Sequence, residues 1–237
     1  MWNKKWRFHF KNKYKKIGLY VAITSVIALL ILLSCVLVSR HKEKLREREQ
    51  RIEQQHQELV QRLLGELDLT VNFLDVNEYS RPGIELKEVK GVVVHYTANP
   101  GTDALANRNY FNNLPKINKR KKQKTYASSH FVIGLDGEII QCIPTEEMSY
   151  ASNNRNKDTI SIECCHPGKS GKFKTATYQS LLKLTTYLCV KYNLTEDAVI
   201  RHYDVTGKNC PKYFVEHESE WEKFRNRVGE SMRTYYY

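Results

Sequence analysis

Three residues stand where a metal ion could use them: His95, His202 and Cys210. His95 closes the apolar run Gly91-Val92-Val93-Val94-His95-Tyr96, where an imidazole needs a polar partner. His202 and Cys210 lie eight apart in the loop RHYDVTGKNCP. Two imidazoles and a thiolate leave the fourth tetrahedral position open, the arrangement of catalytic rather than structural zinc. Each residue also has a plainer reading: a histidine after a strand is often structural, and a buried cysteine acts as a small hydrophobe.

Two neighbours add chemistry to that set. In the run 159–165 (TISIECC) period-two alternation sends Ile160 and Ile162 to one side and Ser161, Glu163 and Cys165 to the other. Glu163 is then a carboxylate in apolar company, where desolvation raises the pKa toward a value suited to a general base. Read plainly, it is a strand glutamate paired with a cation on an exposed face. Lys208, two positions before Cys210, is placed to meet a developing oxyanion, or else is a surface lysine.

These positions need rigid elements, and the pattern supplies them. Residues 91–96 and 159–165 read as buried strands, and 129–134 with 138–143 read as a hairpin around Asp136-Gly137. Residues 103–113 read as a helix with Asp103 in its first turn. An amphipathic helix over 177–192 carries Leu181, Leu184, Leu188 and Tyr192 on one side, and a last helix covers 216–229. Strands mixed with helices at these spacings predict an α/β domain with a central mixed sheet. Arg81-Pro82-Gly83 marks the loop leading into it.

The 237-residue chain has room for one such domain plus appendages. Residues 17–39 are 23 positions without a charge, long enough at about 1.5 Å per residue to cross a hydrocarbon core of about 30 Å. Residues 1–16 before them hold seven Lys or Arg and no acid. A retained transmembrane anchor fits better than a cleaved signal peptide, whose apolar stretch is shorter. Leu32-Leu33-Ser34-Cys35 loosely resembles a lipoprotein box, which would make Cys35 the lipid site. Lys/Arg counts on the two flanks are nearly balanced, and proximity together with three acids on the second side favours a cytoplasmic N-terminus.

Residues 41–69 read as a charged helix with a narrow stripe of Leu45, Ile52, Leu59, Leu63 and Leu67. That stripe is either a short coiled coil joining two copies or a face lying on the catalytic domain. The six cysteines show neither a CxxC pair nor regular spacing, so no disulfide scaffold is expected. The net charge of +12 suggests an acidic partner. Part of it sits in the membrane flank and part in 119–124 (KRKKQK), a solvated run or a steering patch for anionic polymer; no nucleic-acid recognition motif accompanies it.

Taken together, VVVHYTA, SSHFVIGLDGEIIQCIP, DTISIE and RHYDVTGKNCP resemble, in order, the zinc-dependent N-acetylmuramoyl-L-alanine amidases. That family includes phage and bacterial wall amidases and the peptidoglycan recognition proteins. The resemblance runs from about residue 76 to 229. It implies the family's fold of a central mixed sheet flanked by helices. It also implies zinc on His95, His202 and Cys210, with Glu163 activating water and Lys208 steadying the oxyanion. Members commonly carry a tyrosine just before the hairpin histidine. Here that slot is Ser129, which shifts weight to Glu163; His130 is expected to be structural or substrate-lining.

The resulting organisation is a basic cytoplasmic segment (1–16), an anchor (17–39), a charged stalk (40–75) and a zinc amidase domain (76–237). The implied substrate is peptidoglycan outside the membrane, cut between N-acetylmuramic acid and L-alanine. The rival on the same fold is a non-catalytic peptidoglycan receptor, from which the presence of Cys210 separates it. Oligomeric state is left open.

Overall fold

Strands β2 (Gly91–Tyr96) and β5 (Thr159–Cys164) run side by side and parallel at the centre of the fold, almost without exposed residues. Both are dominated by β-branched residues, which suit a pleated surface packed on both faces. Around them the sheet has the order β1-β4-β3-β5-β2-β6, with β1 at Leu69–Val71, β3 at Phe131–Ile133, β4 at Ile139–Gln141 and β6 at Val199–Arg201. Strands β3, β5, β2 and β6 are mutually parallel. Strand β4 runs antiparallel to β3 and carries β1 parallel to itself, so the sheet is mixed as expected. The computed structural model describes the backbone of residues 4–236 and the side chains of 13–235. Residues 1–3 of the basic segment, and the side chains of 4–12, lie outside the described residues.

Alternation along the strands gives the two faces different neighbours. On one face Val92, Val94, Ile160 and Ile162 pack with Leu181, Leu184 and Leu188 of helix α4 (Thr175–Lys191), together with Phe214, Trp221 and Phe224. Each of these side chains contributes about 1.5–3 kcal/mol by burial. On the other face Val132, Ile140 and Cys165 pack with Ala104 and Phe111 of helix α2 (Ala104–Asn112). Asp103 is the N-cap of α2, its carboxylate accepting from the Ala106 N–H. Short helix α3 (Leu114–Asn118) leads into the basic loop.

The remaining helices are α1 (Lys4–Gly65), α5 (His202–Thr206), α6 (Lys212–Glu216) and α7 (Glu218–Tyr236). The chain divides into two compact units, Met1–His56 and Gln57–Tyr237. In the first, α1 is fully exposed through its apolar run, with Leu32 at 63%. One window of this helix has a mean hydropathy of 3.0, long and apolar enough to cross a membrane. In the second unit, the last turns of α1 belong to the core: Val60 and Leu63 are buried, and Leu59, with Leu67 just beyond the helix, packs against the same cluster. Leu45 and Ile52 of the same stripe are exposed.

Two boundaries differ from the sequence reading. Strand β1 at 69–71 lies ahead of residue 76, where the catalytic domain was expected to begin; three residues are too few to show a period. The last helix runs to Tyr236 rather than 229, with α6 separate before it. All six cysteines are free.

Candidate metal centre

The site forms where the parallel strands end. β2 finishes with His95, β5 nearly finishes with Glu163, and β6 passes directly into α5, whose first residue is His202. Open α/β sheets place ligands at the carboxyl ends of parallel strands, because side chains from several strands converge there. His95 and Glu163 are partners in the β2–β5 register, so they project from the same face of adjacent strands. Cys210 comes from the loop after α5.

That loop is folded back by its own backbone. Tyr203 N–H donates to Cys210 carbonyl at 2.9 Å, and Gly207, at φ 76°, ends α5 by donating to Tyr203 carbonyl at 2.7 Å. A left-handed residue at this helix end is where glycine is favoured. Arg201, which precedes His202, fixes the start of α5 from below. Its guanidinium meets Asp204 at 2.8 Å and Glu218 at 2.6 Å, donates to Phe214 carbonyl, and lies over Trp221. One buried arginine thus ties β6, α5, α6 and α7 together beneath the site.

The ligand atoms of His95, His202 and Cys210 all lie within 4.8 Å of one another, and all three residues are buried. His95 Nδ1 faces Cys210 Sγ at 3.8 Å, and the two imidazoles meet edge to face with centroids 4.7 Å apart. Burial, the neighbouring His202 and Lys208 hold the His95 imidazole well below its usual range; burial and Lys208 lower that of His202. Both rings are therefore neutral at pH 7, the form that ligates. Burial and the nearby Glu163 push the Cys210 thiol up to about 12, so a metal would displace a proton there.

Glu163 supplies the strongest indication that a cation belongs here. Its Oε2 atom is buried and has no hydrogen-bond partner among the protein atoms. Burial pushes its carboxyl up to about 8, against the opposing charge of Lys208. A buried carboxylate without a partner is costly, and a cation beside it would restore the ionised form. Two nitrogens, a thiolate and an adjacent carboxylate therefore fit a divalent metal that accepts N and S donors.

All five residues singled out by the sequence line one cleft of about 360 Å³: His95, His202, Cys210, Glu163 and Lys208. Ser129 does not reach it. It is fully buried, and its hydroxyl donates toward the Phe131 and Ser161 carbonyls. The aromatic wall of the cleft is built from Tyr126 and Tyr150, which meet edge to face at 5.7 Å. His130 is likewise a core residue: its ring bonds Ser161 on one side and the Glu147 carbonyl on the other.

The sequence reading missed Ser152 and Asn153. Ser152 Oγ lies 3.2 Å from His95 Nε2, and Asn153 Oδ1 lies 2.9 Å from His202 Nε2. The one available signal was the polar run ASNNRN ahead of β5, which marks a turn but names no role. The basic loop leads into Tyr126; Lys121 and Lys124 bond back to Thr125 and Asn118, which gives the loop a fixed shape.

Comparison with known proteins agrees with this geometry. The profile of the family described as N-acetylmuramoyl-L-alanine amidase matches residues 85–213. The amidase CwlL of Bacillus licheniformis is 37% identical over 169 residues, covering 66% of this chain and 45% of its own. BlyA of Bacillus subtilis strain 168, also an N-acetylmuramoyl-L-alanine amidase, is 34% identical over 184 residues, covering 69% and 47%. The chain thus spans just under half the length of these relatives. Among solved structures, a mutant endolysin from Bacillus subtilis superposes with a TM-score of 0.57 at 28% identity, over 69% of this chain and 99% of that one.

Proposed function

Since the chain belongs to the N-acetylmuramoyl-L-alanine amidase family, we propose that it hydrolyses the amide between N-acetylmuramic acid and L-alanine in peptidoglycan, as a zinc enzyme tethered to the outer face of a cell membrane. The observation that carries the proposal is the buried, unpartnered Oε2 of Glu163 in the cleft that holds His95, His202 and Cys210. A receptor has no use for a base held at that position.

His95, His202 and Cys210 would hold the ion, a donor set that matches catalytic zinc with one position left open. When bound, the zinc supplies Lewis acidity toward the lactyl carbonyl and a nearby water. Glu163 then accepts the proton of the attacking water and delivers it to the departing amine of L-alanine, a role its raised pKa suits. Lys208, on the same cleft, offers a positive charge to the oxygen on which negative charge develops. Tyr126 and Tyr150 provide the wall against which the substrate is oriented. The apolar run 17–39 supports anchoring by length and composition, with residues 1–16 in the cytoplasm and the amidase unit outside.

Purified peptidoglycan digested with the chain, with and without a chelator, tests the reading by mass spectrometry of the products. Free stem peptides beginning with L-alanine, lost with chelator and restored by zinc, are the expected result. Wall that is bound but left uncut would make the protein a receptor.

A further inference from the structure

Ser152 and Asn153 touch the two histidines of the candidate metal centre, each at Nε2. Ser152 is fully buried, and its hydroxyl sits 3.2 Å from His95 Nε2. Asn153 places Oδ1 2.9 Å from His202 Nε2. A carboxamide oxygen only accepts, so the His202 Nε2 must carry the proton and its Nδ1 keeps the lone pair. For His95 the direction follows from the other end of the ring, since Nδ1 faces Cys210 Sγ. Two adjacent residues thus specify the same tautomer for two rings that come from different elements, the end of β2 and the start of α5.

The backbone here is built for this placement. Asn153 has φ 54°, a left-handed conformation that asparagine tolerates better than most residues but that still costs energy. The Asn156 side chain holds the turn, its Oδ1 accepting from the Ala151 N–H at 3.0 Å and the Ser152 N–H at 2.6 Å. Ser152 and Asn153 are consecutive, so their side chains diverge, one into the buried strand end and the other to the cleft rim. Metal-bound imidazoles depend on such partners at the far nitrogen, which fix the ring and raise its basicity.

We infer that Ser152 and Asn153 form a clasp that fixes His95 and His202 as Nε2–H tautomers, with both Nδ1 atoms turned to the metal. The two are positioning residues, acting through the imidazoles rather than on substrate. The inference rests on the metal reading above and assigns the device that pre-sets its ligands.

The test is zinc affinity of the full chain in detergent, stripped of metal and then titrated in competition with a chromogenic chelator. Ser152→Ala weakens zinc binding by about 10–100-fold, the usual effect of losing such a partner. Asn153→Gly accepts the left-handed backbone while removing the acceptor, and weakens binding by about tenfold, less because water reaches the rim. Asn153→Asp keeps the acceptor and stays within about threefold of the parent. Cooperative metal-free unfolding in every variant separates these losses from misfolding. In a chain labelled with 15N-histidine, the zinc-loaded protein shows Nε2–H for both rings, and the signals move in Ser152→Ala and Asn153→Gly. Equal zinc affinity in parent, Ser152→Ala and Asn153→Gly, or Nδ1–H rings, overturns the clasp while leaving the metal site standing. A parent chain that takes up no zinc overturns clasp and metal reading together.

Discussion

The chain holds two apolar regions that use the same kinds of residues in opposite surroundings. Val92, Val93 and Val94 in β2 are completely buried, while Leu19, Leu29 and Leu32 in α1 are more than half exposed. In the Gln57–Tyr237 unit apolar strands are covered on both faces and position a polar cluster at their ends. In the Met1–His56 unit the apolar run is left exposed among the described residues, and by length and composition it could cross a membrane. Hydrophobicity alone therefore does not tell core from candidate span; what distinguishes them is length without a charge, against short runs ending in His or Glu.

Changes in one region should leave the other's property untouched, and that is how the contrast can be broken. Removal of a metal ligand has the largest expected effect: Cys210→Ala loses peptidoglycan hydrolysis by at least about 10³-fold, as expected when metal assistance is lost, and leaves membrane association as it was, by activity assay and fractionation. Next comes charge in the span. Ile27→Arg with Leu30→Arg adds about 2.5–3.5 kcal/mol per residue to insertion. It shifts the chain to the soluble fraction with its specific activity on purified wall unchanged.

Acid sharpens the contrast within the catalytic unit. Burial lowers the His130 pKa to about 4, from 6.5 in the unfolded chain. Between those values the unfolded state binds the extra proton, so the stabilisation is complete above about pH 6.5 and is lost as pH falls toward 4. At about 1.4 kcal/mol per unit this amounts to about 3 kcal/mol. Urea melts of residues 57–237 across that range measure it, and His130→Asn flattens the slope. The smallest effect is Gly207→Ala, which costs about 1 kcal/mol through its left-handed backbone, since nothing lies where the new methyl would go.

Much of this was legible beforehand, because each signal was local. The β2 run, the alternation that separates Ile162 from Glu163, and the Asp-Gly hairpin all depend on short-range periodicity. The five expected site residues meet in one cleft because β2, β5 and β6 are parallel neighbours and the α5 loop folds back over their ends, which no single segment reveals. What stayed illegible depends on contacts across the fold. Ser152 and Asn153 acquire meaning only when their turn lies against His95 and His202, 57 and 49 positions away. Arg201 reads as an ordinary charge until Glu218 and Trp221 surround it. Strand β1 is too short to announce itself, and the stripe on α1 changes from exposed at Ile52 to buried at Leu63 with no change in residue type.

Stepwise addition of zinc to the metal-free chain and to Glu163→Gln, with bound metal and released stem peptides measured together, asks whether the His95–His202–Cys210 cluster and Glu163 form one zinc hydrolase centre. Parent activity is expected to rise to a plateau at one zinc per chain. Glu163→Gln is expected to bind the same zinc and turn over about 10²–10⁴-fold more slowly, the usual contribution of a general base. A Glu163→Gln chain that binds zinc and keeps full activity would contradict a single centre of this kind.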